Sequence, residues 1–353
     1  MELSRAYREV EKRLEKIDFP SLYRGFSRFP FALYNETKAY IDGKAVDRPG
    51  EFIANTAVKY NGADTAIWYL CEESYDFDVL ASKIVHEMLH AYQNASGEKR
   101  WADERTAMVK YRYEAANIAA RLEEAACMRK CLEKEDPAAF ARLLGLRKAR
   151  MERFPYEYDY EARIEQTEGS AHYVENAALA QLDPAKAAEG WERMLNDLAD
   201  PMKYLPVRAV TYESGAAFIA CLRKYTDMDT DAFTDTPFAV AAVAQAVPCE
   251  IPENDVRTAA CIDEWRMGIR KIVALALDKG NAVLEGPCQL VAWNVYDSVW
   301  NGQYAIITHF IGYIEGDEMP VTDKEFFARM KMLNGDFVVE VGEDLIIKRV
   351  WKR

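Results

Sequence analysis

The chain has 353 residues, half of them hydrophobic and 29% charged, which is the balance of a water-soluble globular protein too long for one small core. A formal net charge of −13 argues against a nucleic-acid backbone or an anionic membrane surface as partner. The seven cysteines are odd in number and scattered, so they read as reduced thiols of a cytoplasmic protein rather than as a disulfide framework.

The opening run, Met1-Glu2-Leu3-Ser4-Arg5, leads into a charged helical pattern and lacks the apolar centre of a signal peptide. The most apolar stretch, Phe238 to Val247, is about half the ~20 residues of a membrane span and contains Gln245. In chain order, residues 4–17 form an amphipathic helical pattern that stops at Asp18-Phe19-Pro20. Short β-type runs follow at 31–34, 52–60 and 66–70, and Asn61-Gly62 between the last two predicts a hairpin. A helix is expected from about Asp78 to Gln93. Residues 101–154, rich in Ala, Glu, Arg and Lys, predict two or three long helices broken at Pro137 and Gly145.

Further helical patterns occupy 157–182, 185–198, 211–225, 229–246 and 255–278. At Gly286-Pro287 the character changes. Runs at 289–300 and 303–314 predict a hairpin across Asn301-Gly302, Thr322 or Asp323 can cap a helix through Leu333, and 337–341 with 345–351 predict a second hairpin. The expectation is an α+β fold in three parts. A small N-terminal sheet packs on a metal-binding helix (1–100), a mainly helical lobe follows (101–285), and a β-rich α+β module closes the chain (286–353).

The chemistry centres on His86-Glu87-Met88-Leu89-His90 in a chain with only four histidines. Histidines four apart on a helix leave the same face one turn apart, which suits two nitrogens closing on one tetrahedral zinc. Glu87 stands beside them to take a proton from the attacking water. Two histidines leave a catalytic zinc one protein ligand short. Position 96 is Ser, so a third histidine six residues on is excluded, and the best later stretch is 167–175, Thr-Glu-Gly-Ser-Ala-His-Tyr-Val-Glu. Cys127 and Cys131 share a helix face, but with no second pair nearby they read as buried packing.

Taken together these segments resemble the gluzincin metallopeptidases, the class of the thermolysin-like enzymes and the zinc aminopeptidases. The third ligand of that class is a glutamate in a Glu-Gly-x-Ala-x-Tyr setting, and Glu168 matches it with Gly169, Ala171 and Tyr173 in step. Thr211-Tyr212-Glu213-Ser214-Gly215 is similar to the Tyr-x-x-Gly segment whose tyrosine steadies the tetrahedral intermediate. The resemblance implies one zinc per chain on His86, His90 and Glu168, with Glu87 and Tyr212 catalytic. The Gly-x-Met-Glu-Asn signature of the aminopeptidases is missing. Ala54-Asn55-Thr56 stands near its place without the carboxylate, which counts against aminopeptidase activity and leaves Asn55 as a substrate contact. The interval from His90 to Glu168 is longer than in compact members, so the helices between them pack as an insertion.

Glu161, Glu165, Glu168 and His172 recur at helical spacing, so one face gathers rivals to Glu168 and supporting groups for the metal. His172 stands one turn past Glu168 and is assigned to the substrate, whereas His309, on a predicted strand with Ala305, Ile307 and Ile311, reads as structural. The expected reaction is hydrolysis of a peptide or small-protein substrate, with an extended chain joining the edge of the N-terminal sheet. The alternatives are a zinc hydrolase acting on a non-peptide amide, and an inactive peptide-binding protein. Neither nucleic acid nor membrane is expected as a partner.

Overall fold

The computed structural model describes residues 2–253, 255–316, 319–320 and 322–353. The first part runs α1 (Leu3–Leu14), α2 (Phe19–Leu22), β1 (Phe31–Tyr34), β2 (Lys38–Ile41), β3 (Lys44–Asp47), β4 (Thr56–Tyr60), β5 (Ala63–Tyr69) and α3 (Phe77–Ala95). The strands form a mixed sheet in the order β3-β2-β1-β5-β4, with β1 parallel to β5 and the other pairs antiparallel. Asn61-Gly62 makes the predicted hairpin, both residues at positive φ (48° and 85°), as a tight turn matched to strand twist demands. Asp42-Gly43 does the same between β2 and β3, at φ 50° and 74°. That Asp-Gly signal lay outside the predicted strands.

The sheet is apolar on both faces. Phe31 and Leu33 pack with α1 and α3, while Ala32 and Tyr34 pack with Phe52 and Ile67. The strand β4 therefore ends the sheet, hydrogen-bonded to β5 on one side only. Asp76 caps α3 by accepting from the backbone N–H groups of Asp78 and Val79. The middle of α3, including His86, Glu87 and His90, is buried.

The helical lobe comprises α4 (Glu104–Lys110), α5 (Ala115–Glu133), α6 (Pro137–Arg153), α7 (Pro155–Ile164), α8 (Ser170–Leu182), α9 (Pro184–Asp197), α10 (Val207–Tyr225), α11 (Phe238–Ala242) and α12 (Val256–Asp278). Pro137 opens α6, at a position where its missing N–H has no helical partner to lose. Gly145 does not break the helix. It lies inside α6 because a Cβ there would meet the Val247 carbonyl at 2.9 Å, so the glycine answers close packing. The helix expected over 229–246 shrinks to α11, since the Asp- and Thr-rich segment before it forms turns. Cys127 and Cys131 are buried in the lobe's core, and all seven cysteines are free.

The C-terminal module holds β6 (Leu284–Trp293), β7 (Val299–Trp300), β8 (Tyr304–Ile307), β9 (Phe310–Glu315), α13 (Asp323–Arg329), β10 (Lys331–Asn334), β11 (Phe337–Val341) and β12 (Ile346–Lys352). Its sheet has the order β10-β9-β6-β12-β11-β8-β7. The β11–β12 hairpin forms as predicted. Of the predicted 289–314 hairpin only β7–β8 around Asn301-Gly302 survives, and β6 pairs with β9 and β12 instead. The run 303–314 is split at His309, whose φ of +68° sends the chain from β8 to a different place in the sheet. Residues 331–333, expected at the end of a helix, instead belong to β10, which pairs with β9, and Thr322 caps the shorter α13. One face of this sheet is covered by α12, through Ile269, Val273 and Ala276 against Val299, Ile306, Val338 and Trp351. The class is α+β, with a small mixed N-terminal sheet, a helical lobe and a C-terminal sheet. Among the described residues no helix is long and apolar enough to cross a membrane.

Candidate metal centre

The buried face of α3 presents His86 and His90 with ring centroids 4.9 Å apart. Opposite them stands Glu168, in a π-helical turn (Glu165–Gly169) between α7 and α8. Its Oε2 lies 3.1 Å from His90 Nε2 and 3.6 Å from His86 Nε2. The wide turn re-aims the side chains around it, as such turns do at functional sites. Glu161 and Glu165, read above as sharing the Glu168 face, point elsewhere. Glu161 pairs with Arg150 and Tyr111, and Glu165 forms two 2.7 Å hydrogen bonds with Arg147 and accepts another from Ser214. Neither supports the histidines.

Close helix packing brings Tyr212 to the same place. A Cβ on Gly169 would fall 2.7 Å from the Cα of Gly215, so both positions need glycine for α10 to approach the π turn. Tyr212, one turn before Gly215, thereby stacks beside His86 at a centroid distance of 6.4 Å. It also meets Tyr296 of the C-terminal module edge-on at 5.8 Å.

The far nitrogens of both imidazoles are held. His86 Nδ1 lies 3.0 Å from Glu175, and His90 Nδ1 lies 2.8 Å from Gln93 Oε1. The Gln93 amide donates its Nε2 to the Thr167 carbonyl, so its oxygen is left to accept from His90. With Nδ1 of each imidazole held in this way, Nε2 is the atom turned toward Glu168; it donates a proton to that carboxylate in the metal-free protein and offers a lone pair once a metal takes the proton's place. Arg208 donates to the other Glu168 oxygen at 2.9 Å and also pairs with Glu104. Glu175, Gln93 and Arg208 escaped the sequence reading. Glu175 and Gln93 have a helical-spacing signal, two turns past Glu168 and one turn past His90, whereas Arg208 has none. The carboxylate that orients His86 is Glu175. His172 Nδ1 sits 3.4 Å from Glu175, and the residue is absent from the lining of the cleft described next.

Electrostatics concentrate here. Burial disfavours the charged form of His86, yet Glu168 and Glu175 outweigh it and push the imidazole up to about 10. Burial raises Glu87, assisted by Glu168 and Glu175 against the two histidines. Glu168 is held well below the carboxylate range despite its burial, by His90, His86 and Arg208. Burial keeps the Tyr212 phenol protonated, as does the Glu168 charge.

At this meeting point a cation can replace the protons that the imidazoles share with Glu168, and this donor set suits zinc. Bonds of about 2.0–2.1 Å in a tetrahedron place ligand atoms about 3.3–3.4 Å apart. The donor atoms of His86, His90 and Glu168 all lie within 4.8 Å of one another, and the 3.1 and 3.6 Å separations of the two Nε2 atoms from Glu168 Oε2 straddle that tetrahedral edge. His86, His172 and Glu175 form a second such group. His86 enters it through the nitrogen hydrogen-bonded to Glu175, so the first group is the better cation cage.

The three donors and Glu87 line a cleft of about 1040 Å³. Ile53 to Thr56, leading into the free edge of β4, line it too. Asn55 is among them, its Oδ1 accepting from Tyr69 N–H at 2.7 Å. The C-terminal module contributes Asn294, Tyr296, His309 and Phe310. His309 is therefore an exposed cleft residue rather than a packed strand residue. Thr308 Oγ1 donates to Asp297 at 2.7 Å, so it accepts from His309 Nδ1, also at 2.7 Å, and the imidazole is fixed in one orientation.

The chain matches no protein-family model, and no curated protein or solved structure is significantly similar to it.

Removing the Glu175 charge tests the cage directly. Glu175→Gln is expected to weaken zinc binding about 10–100-fold, the usual penalty for losing a carboxylate behind a ligand histidine. Competition against a chromophoric chelator measures it, and unchanged affinity would show that Glu175 does not serve the metal.

Proposed function

We propose that the protein is a zinc-dependent peptidase of the gluzincin type, with His86, His90 and Glu168 as ligands and Glu87 as base. The observation that carries this reading is the convergence of Glu168, from a distant π turn, on two histidines whose other nitrogens are already engaged. Zinc in this cage supplies Lewis acidity, lowering the pKa of water toward ~7 and polarising a carbonyl.

The chain's own residues do the rest. Glu87, 7% exposed and facing the cleft, takes the proton of the attacking water and passes it to the leaving amine. The protonated Tyr212 donates toward the carbonyl oxygen as negative charge develops there. Extended backbone adds to the free edge of β4, which favours a peptide over other amides. Wild-type protein is expected to hold one zinc per chain, lost in His86→Ala and in Glu168→Ala, and to cleave members of a fluorogenic peptide library. Full zinc content in both variants refutes the ligand set. A zinc-loaded protein that cleaves no peptide refutes the activity.

The C-terminal module meets substrate through Tyr296 and His309. Replacing both with Ala is expected to raise KM about tenfold while kcat stays within a few-fold, the pattern of lost ground-state binding. Unchanged KM on long peptides would take the module out of substrate recognition.

A further inference from the structure

A second cavity, of about 670 Å³, lies between α4 with the residues after it, the start of α10, α12 and the β7–β8 hairpin. Small-molecule sites typically measure about 300–1,000 Å³ and combine apolar walls with a few polar groups. Here the walls include Tyr113, Trp265, Ile269 and Trp300, and the polar groups are dominated by arginine. Arg112, Arg266 and Arg270 line the hollow in a chain whose net charge is −13. The single carboxylate among the lining residues, Glu104, is engaged by Arg208 and, at 2.8 Å, by Tyr160.

Among the described residues the guanidinium groups of Arg112 and Arg270 pair with no carboxylate, although the Arg112 backbone N–H donates to Glu157 at 3.1 Å, and the ion pair of Arg266, to Asp263, is a loose 3.9 Å contact at the surface. All three arginines are solvent-exposed at the rim of this hollow, where an anionic group would meet guanidinium groups not already engaged by carboxylates across it. The aromatic wall is braced for a ligand, since the Tyr113 and Trp265 rings lie 4.7 Å apart and Arg266 donates to the Tyr113 carbonyl at 3.2 Å.

We propose that this cavity binds a small amphiphilic organic anion. The carboxylate or sulfonate head lies among Arg112, Arg266 and Arg270, and the apolar body lies against Tyr113, Trp265 and Trp300. Arg208 forms a wall of this cavity and donates to Glu168 on its other side at 2.9 Å, so an occupant adjoins the arginine that steadies the proposed metal ligand. The inference does not depend on the peptidase reading.

Titration of the intact protein with 1-anilinonaphthalene-8-sulfonate tests it by fluorescence. One saturable site per chain is expected, and the uncharged N-phenyl-1-naphthylamine, with the same rings, is expected to bind at least about tenfold more weakly. Arg112→Glu combined with Arg270→Glu should raise Kd about tenfold or more. Ala274→Trp, which fills the cavity from α12, should do likewise without altering charge. Circular dichroism establishes that each variant is folded. If the charge-reversed protein does not fold, Ala274→Trp alone decides. Sulfonate binding within about twofold of wild type in the folded Ala274→Trp protein overturns the site. Equally tight binding of the neutral probe overturns the requirement for an anion.

Discussion

Replacing Glu87 with Gln is expected to leave zinc content and folding unchanged and to lower peptide hydrolysis by about 10²–10⁴-fold or more. The amide keeps the shape of the carboxylate but cannot accept a proton. Glu87 is buried beside His86 and His90, and burial together with Glu168 and Glu175 raises its proton affinity above that of an ordinary carboxylate. A base should lie closer to the working pH than a free glutamate does, and this environment moves it that way. Single-turnover assays on the zinc-loaded variant separate loss of chemistry from loss of binding. Turnover within tenfold of wild type would mean that another group removes the proton.

The second large effect concerns stability. Arg147→Met is expected to destabilise the protein by about 3–5 kcal/mol at pH 7, a large share of the 5–15 kcal/mol typical of a folded protein. Arg147 is buried, forms two 2.7 Å hydrogen bonds to Glu165, and lies over the Phe218 ring at 3.8 Å. Met fills similar space against Phe218 but strands the Glu165 charge, with Ser214 as its remaining hydrogen-bond donor. The pH dependence follows from Glu165. Burial raises it, but Arg147 outweighs burial and holds the folded carboxyl below its ordinary 4.5.

The stability Glu165 contributes is therefore present above pH 4.5 and lost as pH falls through the depressed folded value. Without Arg147 the stranded carboxylate takes up a proton at higher pH, so the gap between variant and wild type should narrow on acidification. Urea unfolding of metal-free protein at pH 7 and near pH 4 measures both. A deficit below about 1 kcal/mol at pH 7 would show that the Arg–Glu pair is energetically replaceable, as some buried ion pairs are.

The Arg147 variant bears on how the site is built, because Glu165 and Glu168 belong to the same turn. At helical spacing the two would share a face with Glu161, and the sequence reading grouped them so. The π turn separates them. It delivers Glu165 to Arg147 in the lobe's core and Glu168 to His90 at the cleft. Each carboxylate goes where buried guanidinium or imidazole groups give it partners, and the helix adjusts by one wide turn.

Local pattern determined much of this protein. The four-residue interval of His86 and His90, the Asn61-Gly62 and Asn301-Gly302 turns, and the β11–β12 hairpin all follow from interactions a few residues long, which sequence spacing records directly. The α+β division was legible for the same reason, since helical and strand periodicities differ, and the change from helix to strand falls between Asp278 and Leu284, just before the predicted 286.

Tertiary structure alone decided which partners meet. Nothing near Arg208 in sequence points to Glu168, 40 positions away. Nor does a 303–314 run with strand alternation disclose that His309 breaks it and turns into the cleft. Gly169 and Gly215 are ordinary helix residues until their backbones meet, and only that contact explains why Tyr212 stands beside His86. Such choices rest on packing and desolvation between segments far apart in the chain, and these energies have no period for a sequence to display.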